Sequence, residues 1–283
     1  MDYNFETIKF ELHDDGIGIL SLNRPDVLNA MSLQLIEDLH AILDHLMVNL
    51  DCRVLILRAE GGIFCAGLDL KETTIIYKKK IPEELKKFQH INVSEVVKRQ
   101  MYIQYRISNA IKKMRKIPQP IIAIIQGAAT GGGFALTLAA DIRIASHEAK
   151  FNNAFIKIGL SGSDVGTSYF LPRLIGISRA TEILYTGRFF DAIEAEKIGF
   201  LLEIVEKDKL LERAIELAGE FLTKSPLGLR MTKEAINLSM DAPSLETLTE
   251  LENRAQIICS TSKDSVEGGQ AFWQKREPIY GLR

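Results

Sequence analysis

Two glycine-rich turns hold the residues of this chain whose types and spacing could do chemistry. The first is Gly131-Gly132-Gly133, set between an apolar strand-like run, Ile121 to Ile125, and an apolar helix-like run, Phe134 to Ala140. Without a Cβ the backbone can bring its amides against a ligand, and a helix starting there adds its positive dipole end. An anion, or an oxygen becoming one, is stabilised at such a point; a tight turn with close helix packing is the plain structural alternative. The second turn is Gly61-Gly62-Ile63-Phe64-Cys65-Ala66-Gly67-Leu68-Asp69-Leu70, which follows the strand-like run Val54-Leu55-Ile56-Leu57. It repeats the same order of strand, small residues and helix, so Ala66 is expected to aim one N–H where Gly132 aims another. Two convergent amides stabilise charge that develops only as a proton leaves or a nucleophile adds, and losing one such donor typically costs about 3 kcal/mol.

The elements that must position these turns follow from hydrophobic periodicity. Strand-like runs at Ile8 to Leu12, Ile17 to Leu22, Val54 to Leu57, Ile121 to Ile125, Ile142 to Ala145 and Leu201 to Val205 alternate with helical patterns such as Leu33 to Leu50. The class is α/β. From about Lys207 the strands stop, and amphipathic helices are expected at Leu210 to Leu222, Leu227 to Met240 and Leu245 to Ile258, with Pro226 and Pro243 at helix starts. The uncharged stretch Ile117 to Ala140 has the length of a membrane span, but its glycines break it into strand, turn and helix.

Composition narrows the function. With 283 residues, 46% hydrophobic and 25% charged, the chain can bury a sizeable core, and its formal net charge of -2 gives no pull towards nucleic acid or an acidic membrane. A basic run, Lys98, Arg99, Lys112, Lys113, Arg115 and Lys116, is weak support for RNA on so neutral a chain. Cys52, Cys65 and Cys259 lack metal or Cys-x-x-Cys spacing, which fits a reducing cytoplasm; the acidic N-terminus, Asp2 and Glu6, does not resemble an export signal. Cys65 is read as packing, since no histidine adjoins it in sequence. The five histidines, His13, His40, His45, His90 and His147, have no ligand spacing, so no metal is expected.

Asn23-Arg24-Pro25 with Leu28-Asn29-Ala30, then Phe64 to Leu70, then Pro120 through Gln126-Gly127 to the triple glycine and Ala140-Asp141, resemble the crotonase superfamily of enoyl-CoA hydratases and isomerases. The likeness continues in order through Gly159-Leu160, Leu171-Pro172-Arg173, Leu184 to Arg188, Glu194-Ala195, Gly199-Phe200, Ala271-Phe272 and Lys275-Arg276. The resemblance implies a spiral of ββα units over residues 1–206, forming the acyl-CoA-binding core. A C-terminal helical subdomain, 207–283, would serve oligomerisation and part of the coenzyme A site, the assembly being a homotrimer or a hexamer. It also implies that Ala66 and Gly132 form an oxyanion hole for a coenzyme A thioester, which is substrate, with no separate cofactor.

The resemblance gives substrate and coenzyme A contacts to Arg24, to Cys65, Gly67, Leu68, Asp69, Leu70 and Lys71 around the first turn, to Gly131 and Phe155, and to Phe272 and Lys275 near the end of the chain. Asp26 stands where many relatives carry a base, which shifts weight to Arg24. The segment Lys71 to Ile117 is longer than the minimal family pattern and mixes Lys78-Lys79-Lys80 with Glu83-Glu84; a solvated helical cover that forms part of an acyl-pocket lid is expected.

The acids depart from the family pattern. The two positions where family hydratases carry glutamates match Ala135 and Phe155, and neither side chain can hold or deprotonate a water. Asp164, in Gly162-Ser163-Asp164-Val165-Gly166, resembles the aspartate of dienoyl-CoA isomerases, though one residue farther from Gly159-Leu160. It is either a proton carrier whose pKa apolar surroundings raise, or a turn residue holding its own backbone. Asp69 and Asp141 are read as caps. The expected function is an acyl-CoA enzyme that stabilises a thioester enolate and isomerises or hydrates an enoyl-CoA; the alternative is a non-catalytic acyl-CoA-binding scaffold of the same fold.

Overall fold

The computed structural model describes residues 4–72 and 92–281. Its strands are β1 (Ile8–Leu12), β2 (Ile17–Leu22), β3 (Val54–Ala59), β4 (Ile121–Ile125), β5 (Ala128–Thr130), β6 (Ile142–Ala145), β7 (Lys150–Asn152), β8 (Phe190–Asp191) and β9 (Glu203–Ile204). Six of them form one sheet in the order β1-β2-β3-β4-β6-β9, antiparallel at the first pair and parallel from β2 onward. The others form a smaller sheet, β5-β7-β8.

The period-2 pattern of the parallel strands explains the layers. Leu20, Leu22, Leu55, Leu57, Ile121, Ala123 and Ile125 enter one apolar cluster, while Ile17, Ile19, Val54, Ile56, Ile122 and Ile124 enter another. Both faces are therefore covered, as a parallel sheet requires. Helices α1 (Leu33–Val48) and α2 (Glu95–Lys116) pack on each other, and their buried residues join the first cluster. The second cluster is closed by Leu210, Ala214, Leu217 and Ala218.

The short apolar helix after the triple glycine is α3 (Gly132–Ala139), and every residue in it is buried. The loop beyond β7 leads to α4 (Thr167–Ile175), α5 (Ile177–Thr186) and α6 (Ala192–Lys197). The tail carries α7 (Leu210–Leu222), α8 (Pro226–Ser239), α9 (Leu245–Ser260) and α10 (Lys263–Gln274). Because α7 is the cover of the second sheet face, the boundary expected at 206/207 does not separate it from the core. Helix α8 starts at Pro226 as expected, with Ser225 Oγ accepting the Gly228 amide at 3.3 Å. Helix α9 starts two residues past Pro243, at Leu245, capped by Ser244.

The expected cover Lys71 to Ile117 divides. Residues 73–91, including the lysine and glutamate runs, lie outside the described residues. From Glu95 onward the segment is not a solvated cover but a core helix: Tyr102, Ile103, Ile107, Ala110, Ile111 and Met114 of α2 recur at helical spacing and are buried. Among the described residues no helix is long and apolar enough to cross a membrane.

Four phenylalanines fix α3 against the small sheet. The Phe151 and Phe200 rings meet at 4.9 Å, Phe151 and Phe190 at 5.4 Å, and Phe134 at the start of α3 lies 5.5 Å from Phe200 and 5.8 Å from Phe190. Such pairs add to the burial of their area. Phe151→Ala should lower unfolding stability by about 3–5 kcal/mol in urea titration; a loss under 1 kcal/mol would show that this cluster does not anchor α3.

Candidate active site

The two glycine-rich turns lie against each other, held by backbone and by two buried amide side chains. Phe64 and Cys65 donate their N–H groups to the Ala128 carbonyl at 3.0 and 3.1 Å, and Thr130 N–H returns to the Cys65 carbonyl at 2.9 Å. Asn29 is fully buried; its Nδ2 donates to the Glu60 and Ile63 carbonyls at 2.8 Å each, and its Oδ1 accepts the Arg24 amide at 2.8 Å. Gln126 Nε2 donates to the Ala59 and Gly61 carbonyls at 3.0 and 3.1 Å. Sequence reasoning quoted Asn29 and Gln126 only within longer motifs; their burial is what marks them as braces.

These bonds change which amide serves the cradle. The Ala66 N–H donates to the Leu28 carbonyl at 3.0 Å, so it is spent inside the protein. On the next residues, Met31 N–H donates to the Gly67 carbonyl at 2.7 Å, and Asp69 N–H to the Met31 carbonyl at 3.1 Å. This bridge turns the intervening Leu68 amide to the opposite side. Neither Leu68 N–H nor Gly132 N–H donates to a protein acceptor among the described residues, the latter being the first amide of α3. The expected pair of Ala66 and Gly132 is thus corrected to Leu68 and Gly132.

Only glycine permits the approach. A Cβ on Gly67, whose φ is 90°, would lie 3.0 Å from the Thr130 carbonyl oxygen and 3.5 Å from the Gly132 nitrogen. A Cβ on Gly132 would meet Met31 Sδ at 2.6 Å and stand 4.0 Å from the Leu68 nitrogen. The two unpartnered amides therefore lie close together, that of Gly132 at the positive end of a helix.

The carboxylates nearest in sequence to the first turn are committed to structure. Asp69 Oδ1 accepts the Glu72 amide at 3.1 Å, the capping role expected of it, and its Oδ2 pairs with Arg24 at 3.2 Å. Glu72 accepts the Leu33 amide at 3.2 Å. Arg24 also donates to the Ala30 carbonyl, so its guanidinium ties two loops together instead of standing open for a phosphate. Asp141 accepts the Ile121 amide at 2.8 Å and joins Arg115 at 2.7 Å and the buried Lys233 at 2.9 Å, docking α8 on the core. With Lys98 paired to Glu95 and Lys113 to Asp44, half of the basic run read for RNA is neutralised.

Phe155 and Ala135 wall the cradle with apolar surface. Phe155 is buried, its ring 3.4 Å from where a Cβ of Gly131 would be, and Ala135 N–H donates to the Gly131 carbonyl at 3.0 Å. The loop after Phe155 is pinned by Asn153 Nδ2, which donates to the Gly162 carbonyl at 2.6 Å, and ends in a turn at Asp164. Asp164 accepts on Oδ1 from the Val165 amide at 2.8 Å and from Gln104 Nε2 on α2. Burial pushes its pKa above the usual carboxylate value, against the pull of those two bonds.

Cys65 is fully buried and its thiol is pushed up to about 12 by burial, so it packs, as expected. Leu70 and Lys71 are exposed at the lip of the first turn. Phe272 is 77% exposed on the last helix, whose main contact is α9, and Lys275 caps that helix's end; the single chain leaves both on the surface. Among the described residues no group of acids, histidines and cysteines could hold a metal ion.

The fold is an α/β spiral in which two strand-turn-helix units lie against each other with two amides open between them. The family model for enoyl-CoA hydratase/isomerase matches residues 13–283, and the chain belongs to that family and to the crotonase superfamily. Its relatives include mouse mitochondrial methylglutaconyl-CoA hydratase, 34% identical over 95% of this chain and 81% of its own length. Similar solved structures include an enoyl-CoA hydratase from Bacillus anthracis, 34% identical, TM-score 0.86, covering 97% of this chain and 99% of its own. Another is an enoyl-CoA hydratase from Polaromonas sp. JS666, 27% identical, TM-score 0.85, covering 97% and 99%.

Gly67→Ala should cut turnover of an enoyl-CoA about 10²- to 10³-fold, the cost of losing one oxyanion donor. Unchanged turnover in a folded variant would mean that the Leu68 and Gly132 amides do not meet the substrate.

Proposed function

We propose that the protein is an enoyl-CoA isomerase whose Leu68 and Gly132 amides receive the thioester oxygen while Asp164 moves a proton. The observation that carries this is the set of acids. Asp69, Glu72 and Asp141 are bound into structure, Ala135 and Phe155 are apolar, and Asp164 keeps one oxygen without a protein donor among the described residues.

The steps follow from that inventory. A 3-enoyl-CoA bound with its carbonyl oxygen on the two amides has its C2 proton acidified, because the charge that develops is stabilised by donors already in place. Asp164 takes that proton, leaving a dienolate, and returns it to C4, so the double bond ends between C2 and C3. One carboxylate suffices for the shift. Hydration would also need a water held and deprotonated beside C3, and buried Phe155 and Ala135 offer it no partner.

The raised Asp164 pKa sets the pH dependence, since only the carboxylate can accept the proton. Activity falls as pH drops through that raised value. For assembly we propose a homotrimer or hexamer, supported by exposed apolar side chains on the last two helices, Leu245, Ile257, Val266 and Trp273 among them.

The test is a panel of 3-enoyl-, 2-enoyl- and dienoyl-CoA thioesters with wild type and Asp164→Asn. Wild type should favour 3-enoyl-CoA, and the variant should lose about 10²- to 10⁴-fold in turnover while still binding the thioester. Faster hydration of 2-enoyl-CoA than isomerisation, or equal turnover by the variant, would overturn the reading; tight binding without turnover of any substrate would point to the scaffold.

A further inference from the structure

Gln104 is exposed on the surface of α2 and has no part in the scheme above, yet its amide reaches the one carboxylate that scheme uses. We propose that Gln104 is a positioning residue that fixes Asp164 by one oxygen and leaves Oδ2 as the atom that accepts and returns the proton. This rests on the isomerase reading.

Three features of the local geometry carry it. First, both donors to the carboxylate, Gln104 Nε2 and the Val165 amide, go to Oδ1, and no donor among the described residues reaches Oδ2. A carboxylate oxygen that already accepts two hydrogen bonds is the poorer base, so the proton goes to the other. Second, Val165 delivers its amide from a left-handed conformation, φ 40°, which a β-branched residue adopts only under constraint. The Asp164 backbone before it is locked at both its polar groups: Thr167 N–H donates to the Asp164 carbonyl at 2.8 Å, and Thr167 Oγ1 accepts the Asp164 amide at 3.2 Å.

Third, Gln104 stands on a rigid element while Asp164 stands on a loop. Helix α2 is held by its buried apolar face, by the pairs Arg106 to Glu37 and Lys113 to Asp44, and by Arg115 on Asp141. A carboxylate on a turn can swing about its side-chain torsions. A hydrogen bond from a packed helix removes that freedom and orients the free oxygen, as catalysis by proton transfer requires. The charged and titratable groups on the flanking elements, Lys112 and Arg115 on α2, Tyr169 and Arg173 on α4, and Asp241 after α8, add nothing to the Asp164 shift, which comes from burial, Gln104 and the Val165 amide.

The sign of the effect is fixed by the donor's preference for the charged form. Gln104 Nε2 bonds the carboxylate better than the acid, so removing it raises the Asp164 pKa further. The experiment measures kcat/KM for 3-enoyl-CoA isomerisation against pH for wild type, Asp164→Asn, Gln104→Met and Gln104→Glu. Binding of a saturated acyl-CoA and melting temperature are measured in parallel. Gln104→Met, nearly isosteric but without a donor, should move the acid limb up by about one pH unit, the size of a charge-assisted hydrogen bond shared with solvent. Gln104→Glu should move it farther, by adding a like charge, and both variants should keep wild-type thioester affinity and melting temperature. Asp164→Asn should lack the limb. If Asp164→Asn keeps the acid limb, the isomerase reading fails at its base; if it loses the limb while neither Gln104 variant moves it, only the positioning role is overturned.

Discussion

The close approach of two turns, at Gly67 and Gly132, is the constraint on which the rest of the site depends. A single added methyl group would press on the Thr130 carbonyl at Gly67, where φ is also left-handed, and on the Met31 side chain at Gly132. The approach is held by bonds between neighbouring backbone groups. Ala66 gives its amide to Leu28, Thr130 to Cys65 and Gly131 to Asn152, while Met31 takes up the Gly67 carbonyl and the Asp69 amide. Among the described residues, Leu68 and Gly132 are left with donors and no protein acceptor. A buried N–H without a partner costs free energy, and a ligand oxygen that fills both recovers it.

The larger architecture serves this spacing. Helix α3 cannot rotate or slide, because Phe134 sits in a box with Phe151, Phe190 and Phe200 and every residue of the helix is buried. The first turn is clamped from outside by Asn29 and Gln126, whose side-chain amides bond four carbonyls between them near the turn's start. Arg24 and Asp69 close the lip. Preorganisation of this kind is what makes such donors effective, since they need not reorient when charge appears. Apolar Phe155 and Ala135 then offer a water no partner, and in the proposed reaction Asp164 takes and returns the proton.

Much of the fold was legible in the sequence, and the limits of that legibility are physical. Continuous apolar runs such as Ile121 to Ile125 mark strands buried on both faces, and all six strands of the large sheet were expected within a few residues. The strands of the small sheet escaped notice because two- and three-residue strands carry no period. Helix α10 was expected only through the family resemblance, since Gly268 and Gly269 interrupt its pattern. The turns that form the cradle were found from their glycines, yet the donor was placed on Ala66 instead of Leu68. Which of three successive amides points outward depends on which carbonyls the others meet, here those of Leu28 and Met31, and that is a tertiary fact. Arg24 was assigned a coenzyme A contact without its ion pair for the same reason: its partner, Asp69, is 45 residues away. Gln104 gave no signal, because its meaning lies in a contact across 60 residues.

The most direct test is exchange at the α-carbon. A saturated acyl-CoA, which can neither isomerise nor add water, is incubated with the protein in deuterated water and followed by NMR. The account predicts that wild type exchanges the C2 protons and that Asp164→Asn binds the same thioester without exchanging them. Equal exchange by both proteins, or none by wild type with the thioester bound, would contradict it.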